Sequence, residues 1–268
     1  MIRVEIGKLL RRPRTWVSLA LLTGLPVVVA IFLAVTDLGP RPGEGPAFLS
    51  AVLNNGSLFP AAALAIVLPL FLPMAVATVA GDSIAGEASS GTLRYLLVQP
   101  VSRTRLLFAK LVTVVFFTFL AVILVAGVAY EVGTRLFGSH PLPTVSGGAP
   151  LTTAQATIRV VLAVLYVGWS MLGVGAFGLF FSTITDSPLA ASLGSLAVLI
   201  SSTLLVTLEA AGSVSPYLPT RYWLAFVDLF RNPILWHDVQ RGIALQAVYM
   251  VVLLGVSWAN FASKDITS

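Results

Sequence analysis

Residues 81–105 read GDSIAGEASSGTLRYLLVQPVSRTR, a polar stretch between two runs that carry no charge, Leu58 to Ala80 and Leu111 to Tyr130. Each run has the roughly 20 predominantly apolar residues needed to cross a bilayer core. A charged segment between two such spans has to return to water. Its side of the membrane therefore sets the direction of every helix around it.

Composition agrees with that reading. Of 268 residues, 57% are hydrophobic and 10% charged, against roughly 25% charged in a soluble domain, so the chain reads as an all-α polytopic membrane protein. It has no cysteine, which removes disulfides, thiol catalysis and thiolate metal sites together. His140 and His237 are its two histidines and fall in different outer loops, so solvated side chains are expected and not a metal site.

Working outward, residues 1–14 place Ile2, Ile6, Leu9 and Leu10 at helical spacing, with Arg3, Lys8, Arg11 and Arg12 on the remaining positions and Pro13 as a breaker. The pattern is that of an interfacial amphipathic helix. Alternatively, these basic residues only orient the next segment, and both readings put the N-terminus in the cytosol. Uncharged spans are expected at about 15–36, 58–80, 111–130, 160–182, 189–208 and 242–263. The first is too long, and lacks a small-x-small site, for a cleaved signal peptide. In the second, Pro60, Pro69 and Pro73 predict kinks.

Gly168, Gly173, Gly175 and Gly178 in the fourth span suggest a helix-packing face, and the pairs Ala190/Gly194 and Ala191/Ser195 in the fifth suggest a close crossing. Residues 209–241 hold Tyr217, Tyr222, Trp223, Phe226, Phe230 and Trp236 among charges. They read as short helices at, or dipping into, the outer interface.

Every Lys, Arg, Asp and Glu falls outside the six spans. With both termini cytosolic, the inside segments hold Arg3, Lys8, Arg11, Arg12, Arg14, Arg94, Arg103, Arg105, Lys110 and Lys264, although the outside loops are longer. Positive charge resists translocation. This partition accounts for the net charge of +5 without nucleic acid. No extramembrane segment exceeds the roughly 40 residues below which an unaided domain rarely folds, so residues 1–268 read as one domain.

Chemistry is hard to place in this chain. Gly81 and Gly86 have phosphate-loop spacing, but Glu87-Ala88 stands where that loop needs Lys followed by Ser or Thr. No histidine lies in a span to activate a serine. Asp82 and Glu87 are five apart, off any common helical face, and so make a poor acid/base pair. Residues 92–98, by contrast, have the length of two helical turns, with Leu93, Leu96 and Leu97 on one side and Pro100 as a stop. A short apolar-faced helix in a cytosolic loop calls for a protein partner.

These residues resemble the type-2 membrane subunits of ABC exporters. Such permeases carry an acidic residue soon after the second span, a Glu-x-x-x-Gly-Thr-Leu run, and a Pro-Val-Ser-Arg turn leading to a Lys near the third span. Glu87, Gly91, Thr92, Leu93, Pro100, Val101, Ser102, Arg103 and Lys110 match that pattern. The resemblance implies that residues 1–14 are an elbow helix and that region 81–105 holds a coupling helix, docking through residues 82–98 onto a separate ATPase. It implies two permeases, identical or homologous, with two ATPase subunits in the cell membrane, and spans one and five meeting across the dimer.

On that reading Asp82, Glu87, Arg94, Arg103 and Arg105 contact the ATPase while Leu93, Leu96 and Leu97 fill its groove. This chain then holds no cofactor, ATP and magnesium being bound by the partner, and is not itself an enzyme. One departure is Ala88, where family members often have a basic residue. An ATP-independent channel or membrane scaffold is the alternative. Spans without ionisable residues argue against selective ion conduction and fit a drug, lipid or peptide cargo.

Overall fold

The computed structural model describes residues 1–36, 55–91, 102–138, 152–208 and 212–263. Among them all regular structure is helical: α1 (Ile2–Arg11), α2 (Pro13–Thr36), α3 (Phe59–Val67), α4 (Phe71–Ser89), α5 (Arg103–Phe137), α6 (Thr153–Ile184), α7 (Pro188–Thr207) and α8 (Trp236–Ser263). Three 3-10 segments join them, Gly56–Leu58, Gly212–Tyr217 and Trp223–Phe230. Helices α2, α5, α6, α7 and α8 are long and apolar enough to cross a membrane, and Gly56–Val67 with Phe71–Ser89 makes a sixth if that bent pair is one span.

The bend is 61°, and its cause is legible. Pro69 and Pro73 have no N–H to donate, so the carbonyls of Ala65 and Pro69 lose their helical partners around the break.

Several helices overrun the apolar runs that announce them. Helix α5 covers Arg103–Phe137, because its ends are set by caps and not by hydropathy. Ser102 accepts from the Arg105 N–H at one end, and Gly138 turns out of the helix at φ 71° at the other. Likewise the first part of the polar stretch is not a loop: Gly81–Ser89 continues α4 beyond the apolar run. Gly91, at φ 70°, stands just past its end.

Helix α6 forms the centre, its most apolar stretch 61% buried against 17% in α8. Its glycines do not share one face. A Cβ on Gly168 or Gly175 would strike Phe119 or Val114 of α5, one on Gly173 the Gln246 side chain of α8, and one on Gly178 the Ala80 Cβ of α4. Helix α4 is pressed between α6 and α7, since a Cβ on Gly81 would lie 2.6 Å from Ser192 Oγ and 2.9 Å from its backbone nitrogen.

The small residues of α7 serve that internal crossing. Ala191 and Ser195 are fully buried, Gly194 lies against Phe181 of α6, and Ala190 is exposed. Leu189, Leu193 and Leu204 are the most exposed of the large apolar side chains on α7, at 54–68%.

The aromatic outer segment is packed into the bundle. Trp223, Phe226, Leu229 and Phe230 are buried, and the segment lies against α6 and α8. Tyr166 Oη donates to the Tyr222 carbonyl, Gln246 Nε2 donates to that of Pro219, and the Ser202 and Thr220 hydroxyls bond each other. Irregular backbone that is buried needs such partners.

Candidate functional site

The N-terminal segment is a helix over Ile2–Arg11, but it is not held by an apolar stripe. Of Ile2, Ile6, Leu9 and Leu10, only Leu9 is buried; the other buried position is Glu5, one turn before it. A lone carboxylate is costly to bury, and here cations from two elements meet it. Lys110 Nζ, from α5, donates to Glu5 Oε2 at 2.5 Å, and Lys8 Nζ donates to Glu5 Oε1 at 2.9 Å.

Glu87, near the end of α4, completes the group. It accepts from Lys110 Nζ at 2.5 Å and from Lys8 Nζ at 3.5 Å. Two carboxylates and two ammonium groups thus neutralise one another where α1, α4 and α5 converge. The side chains of Lys110, Glu5 and Glu87 are only 5%, 8% and 9% exposed.

Arg12 donates to Asp82, tying α1 to α4 at a second point. The angle between α1 and α2 is set by Thr15 and Trp16, which donate to the Leu9 and Leu10 carbonyls at 2.7 Å each. Those carbonyls end α1, where the regular helical donors run out, and that of Leu9 also accepts from the Arg12 N–H.

A hydroxyl from α6 enters the same end of α4. Ser182 Oγ donates to the Gly81 carbonyl at 2.7 Å and accepts from the N–H groups of Ala85 and Ile84 at 2.9 and 3.1 Å. Gly81 C=O and Ala85 N–H are the two ends of one helical turn, so the hydroxyl bridges a pair that an undisturbed helix closes by itself.

The residues expected to meet a partner are distributed differently. Glu87 is turned inward, because Lys110 and Lys8 supply charges that solvent-facing placement would forgo. Asp82 is half-buried against Arg12. Arg103 donates to the carbonyls of Phe261 and Ala262 and so caps α8. Gly91 and Arg105 are exposed, as are Arg3, Lys8, Arg11 and Arg12 of the elbow. Thr92, Leu93, Arg94, Leu96, Leu97 and Pro100 lie outside the described residues.

Electrostatics bear on how the elbow is held. Burial pushes the Glu5 carboxyl up, but hydrogen bonds and charge from Lys110 and Lys8 outweigh it, and the group titrates below its ordinary 4.5. For Lys8, burial pulls down and Glu5 and Glu87 push up, leaving it above 10.5. A lowered carboxylate contributes stability that is present above 4.5 and lost as pH falls through the lowered value. A raised ammonium contributes stability that is complete below 10.5 and lost as pH rises through the raised value.

Docking of α1 is therefore expected to be flat across neutral pH and to fail at the two extremes. Hydrogen exchange of residues 2–11, corrected for its intrinsic pH dependence, measures this; a loss of protection centred near neutral pH would count against it.

Chemically the site is a lock. Its carboxylates are ion-paired, and among the described residues no group of three or more His, Asp or Glu gathers where a metal ion could sit. Residues 27–267 match a family model described as protein of unknown function, DUF2705. The chain belongs to that family. No curated protein matches it. The DUF2705 region takes in Asp82, Glu87, Arg103, Lys110 and Ser182, and the elbow residues Glu5, Lys8 and Arg12 precede it.

Sequence reasoning passed over Glu5 and Ser182. For Glu5 a signal exists, since it is the only acid of α1 and shares the face of Leu9, one helical turn away. Ser182 has none, being one of many serines near span ends.

Proposed function

We propose that this chain is the permease subunit of an ATP-driven exporter, a membrane protein that moves an uncharged or amphiphilic cargo while a separate ATP-binding-cassette subunit hydrolyses ATP. One observation carries the reading. Glu87 and Lys110, which open and close the exporter-like motif, are ion-paired across 23 residues of sequence. A coupling segment rooted on that pair departs from a fixed base, and Glu5 joins the elbow to the same base. Movement imposed on the segment would then reach α1, α4 and α5 together.

In this reading the docking contacts narrow to Leu93, Leu96 and Leu97 with Arg94 and Arg105. Asp82, Glu87 and Arg103 act as internal ties. The termini and the clamp face the cytosol, where the basic residues concentrate, and two permease chains assemble with two ATPase subunits.

A tagged chain is expected to bring an ATP-binding-cassette subunit down from native membranes. The triple variant Leu93→Asp, Leu96→Asp, Leu97→Asp is expected to insert normally and to lose about 2 kcal/mol or more of that affinity, close to thirtyfold. Transport by the purified chain in vesicles without ATP or a partner would overturn the proposal in favour of a channel.

A further inference from the structure

Beside the clamp, α1, α2, α4, α5 and α7 enclose a cleft of ≈ 390 Å³. Its charged lining is Glu5, Lys8, Arg12, Arg14, Asp82 and Lys110. With Glu87, which shares Lys110 and Lys8, four cations face three carboxylates, and one positive charge is left over. That charge belongs to Arg14, which makes no ion pair or hydrogen bond among the described residues. A second cavity of ≈ 550 Å³ adjoins the first and shares Arg12, Arg14, Asp82 and Pro188 with it. The uncompensated guanidinium therefore stands where the two open into one another.

Of the hydroxyls in the cleft, Thr15, Thr78, Ser83, Thr113 and Ser192 already donate their protons to backbone carbonyls, while those of Ser18 and Ser187 make no such donation among the described residues. Deeper in, Leu9, Val79 and Val114 line the wall.

At the mouth Leu189 is 68% exposed, and Leu21 and Val28, on the Arg14 face of α2, continue an exposed apolar surface along the helix. Trp16 at the end of a span marks the headgroup level of a bilayer. A cationic rim over an apolar track fits an amphiphile with an anionic head better than a free ion.

We infer that this cleft binds the phosphate of an anionic phospholipid, its headgroup held by Arg14 beside Arg12 and its acyl chains lying along Leu21, Val28 and Leu189. The site lies in the leaflet next to α1. It goes beyond the permease reading and stands whether or not that reading fails.

Native mass spectrometry of the detergent-solubilised chain, with phosphatidylglycerol and phosphatidylcholine of identical acyl chains, tests it. Phosphatidylglycerol is expected to be retained preferentially. Arg14→Gln is expected to reduce that retention about tenfold, the loss of one charge-assisted contact. Among the described residues Arg14 has no partner, so the variant should melt like the parent.

Arg135→Gln removes the same charge at the far end of α5, where Arg135 pairs only with Glu131 among the described residues, and should leave retention unchanged. Equal retention of the two lipids, an unaffected Arg14→Gln, or equal losses in both variants would overturn the inference. Displacement of phosphatidylglycerol by millimolar inorganic phosphate would assign the site to free phosphate and overturn the lipid as occupant.

Discussion

Lys110→Met is expected to be the most destabilising single change in the molecule, at about 3–5 kcal/mol. Methionine nearly conserves the volume, so the effect isolates the charge. Without Lys110, the buried carboxylates of Glu5 and Glu87 lose the cation they share, and Lys8, which also pairs with both, is 44% exposed on its side chain. The variant should show early loss of hydrogen-exchange protection in α1 and a lower denaturation midpoint in detergent. Replacing the group together, as Glu5→Leu, Lys110→Met and Glu87→Leu, removes the three buried charges, leaves the half-exposed Lys8 to solvent and should recover most of the stability, since apolar replacements of a buried ion network are often neutral or better. A Lys110→Met protein that denatures with the parent would show that the clamp is not an energetic unit.

The second large effect is expected at Gly81. An added methyl meets Ser192 on three atoms, two of them backbone, at 2.6, 2.9 and 3.3 Å. Only the hydroxyl can rotate away, so α4 and α7 have to separate. Overpacking of this kind costs about 1–3 kcal/mol. The same displacement pulls the Gly81 carbonyl away from Ser182 and loosens the bridged turn that leads to Glu87. Gly81→Ala should therefore lower the denaturation midpoint and also weaken protection of α1, whereas Gly127→Ala, where nothing lies within 4 Å, should do neither. Equal behaviour of the two variants would mean that the α4–α7 crossing tolerates a methyl group.

These two positions show how differently the chain could be read. Gly81 was legible only as part of a polar stretch with failed phosphate-loop spacing, because nothing local says that Ser192 of another helix lies against it. Glu87 and Lys110 both match the motif, but Glu87 reads there as an outward-facing contact and Lys110 as one with no assigned partner. Their pairing spans a segment whose path cannot be inferred from residue types, and the carboxylate that explains their burial, Glu5, lies on a helix expected to be held by its leucines and isoleucines. Proline chemistry, by contrast, was local: kinks expected from Pro69 and Pro73 correspond to the 61° break.

What the amino-acid order determined alone is the set of apolar runs within the long helices and the exclusion of charge from those runs, because hydropathy and backbone hydrogen bonding in a low-dielectric medium act segment by segment. Tertiary structure alone decided which charges face one another. Burying an ion is favourable only when its counter-ion arrives from elsewhere in the fold, so Glu5, Glu87 and Lys110 become one clamp, and Arg14 is left over, only after α1, α4 and α5 have packed.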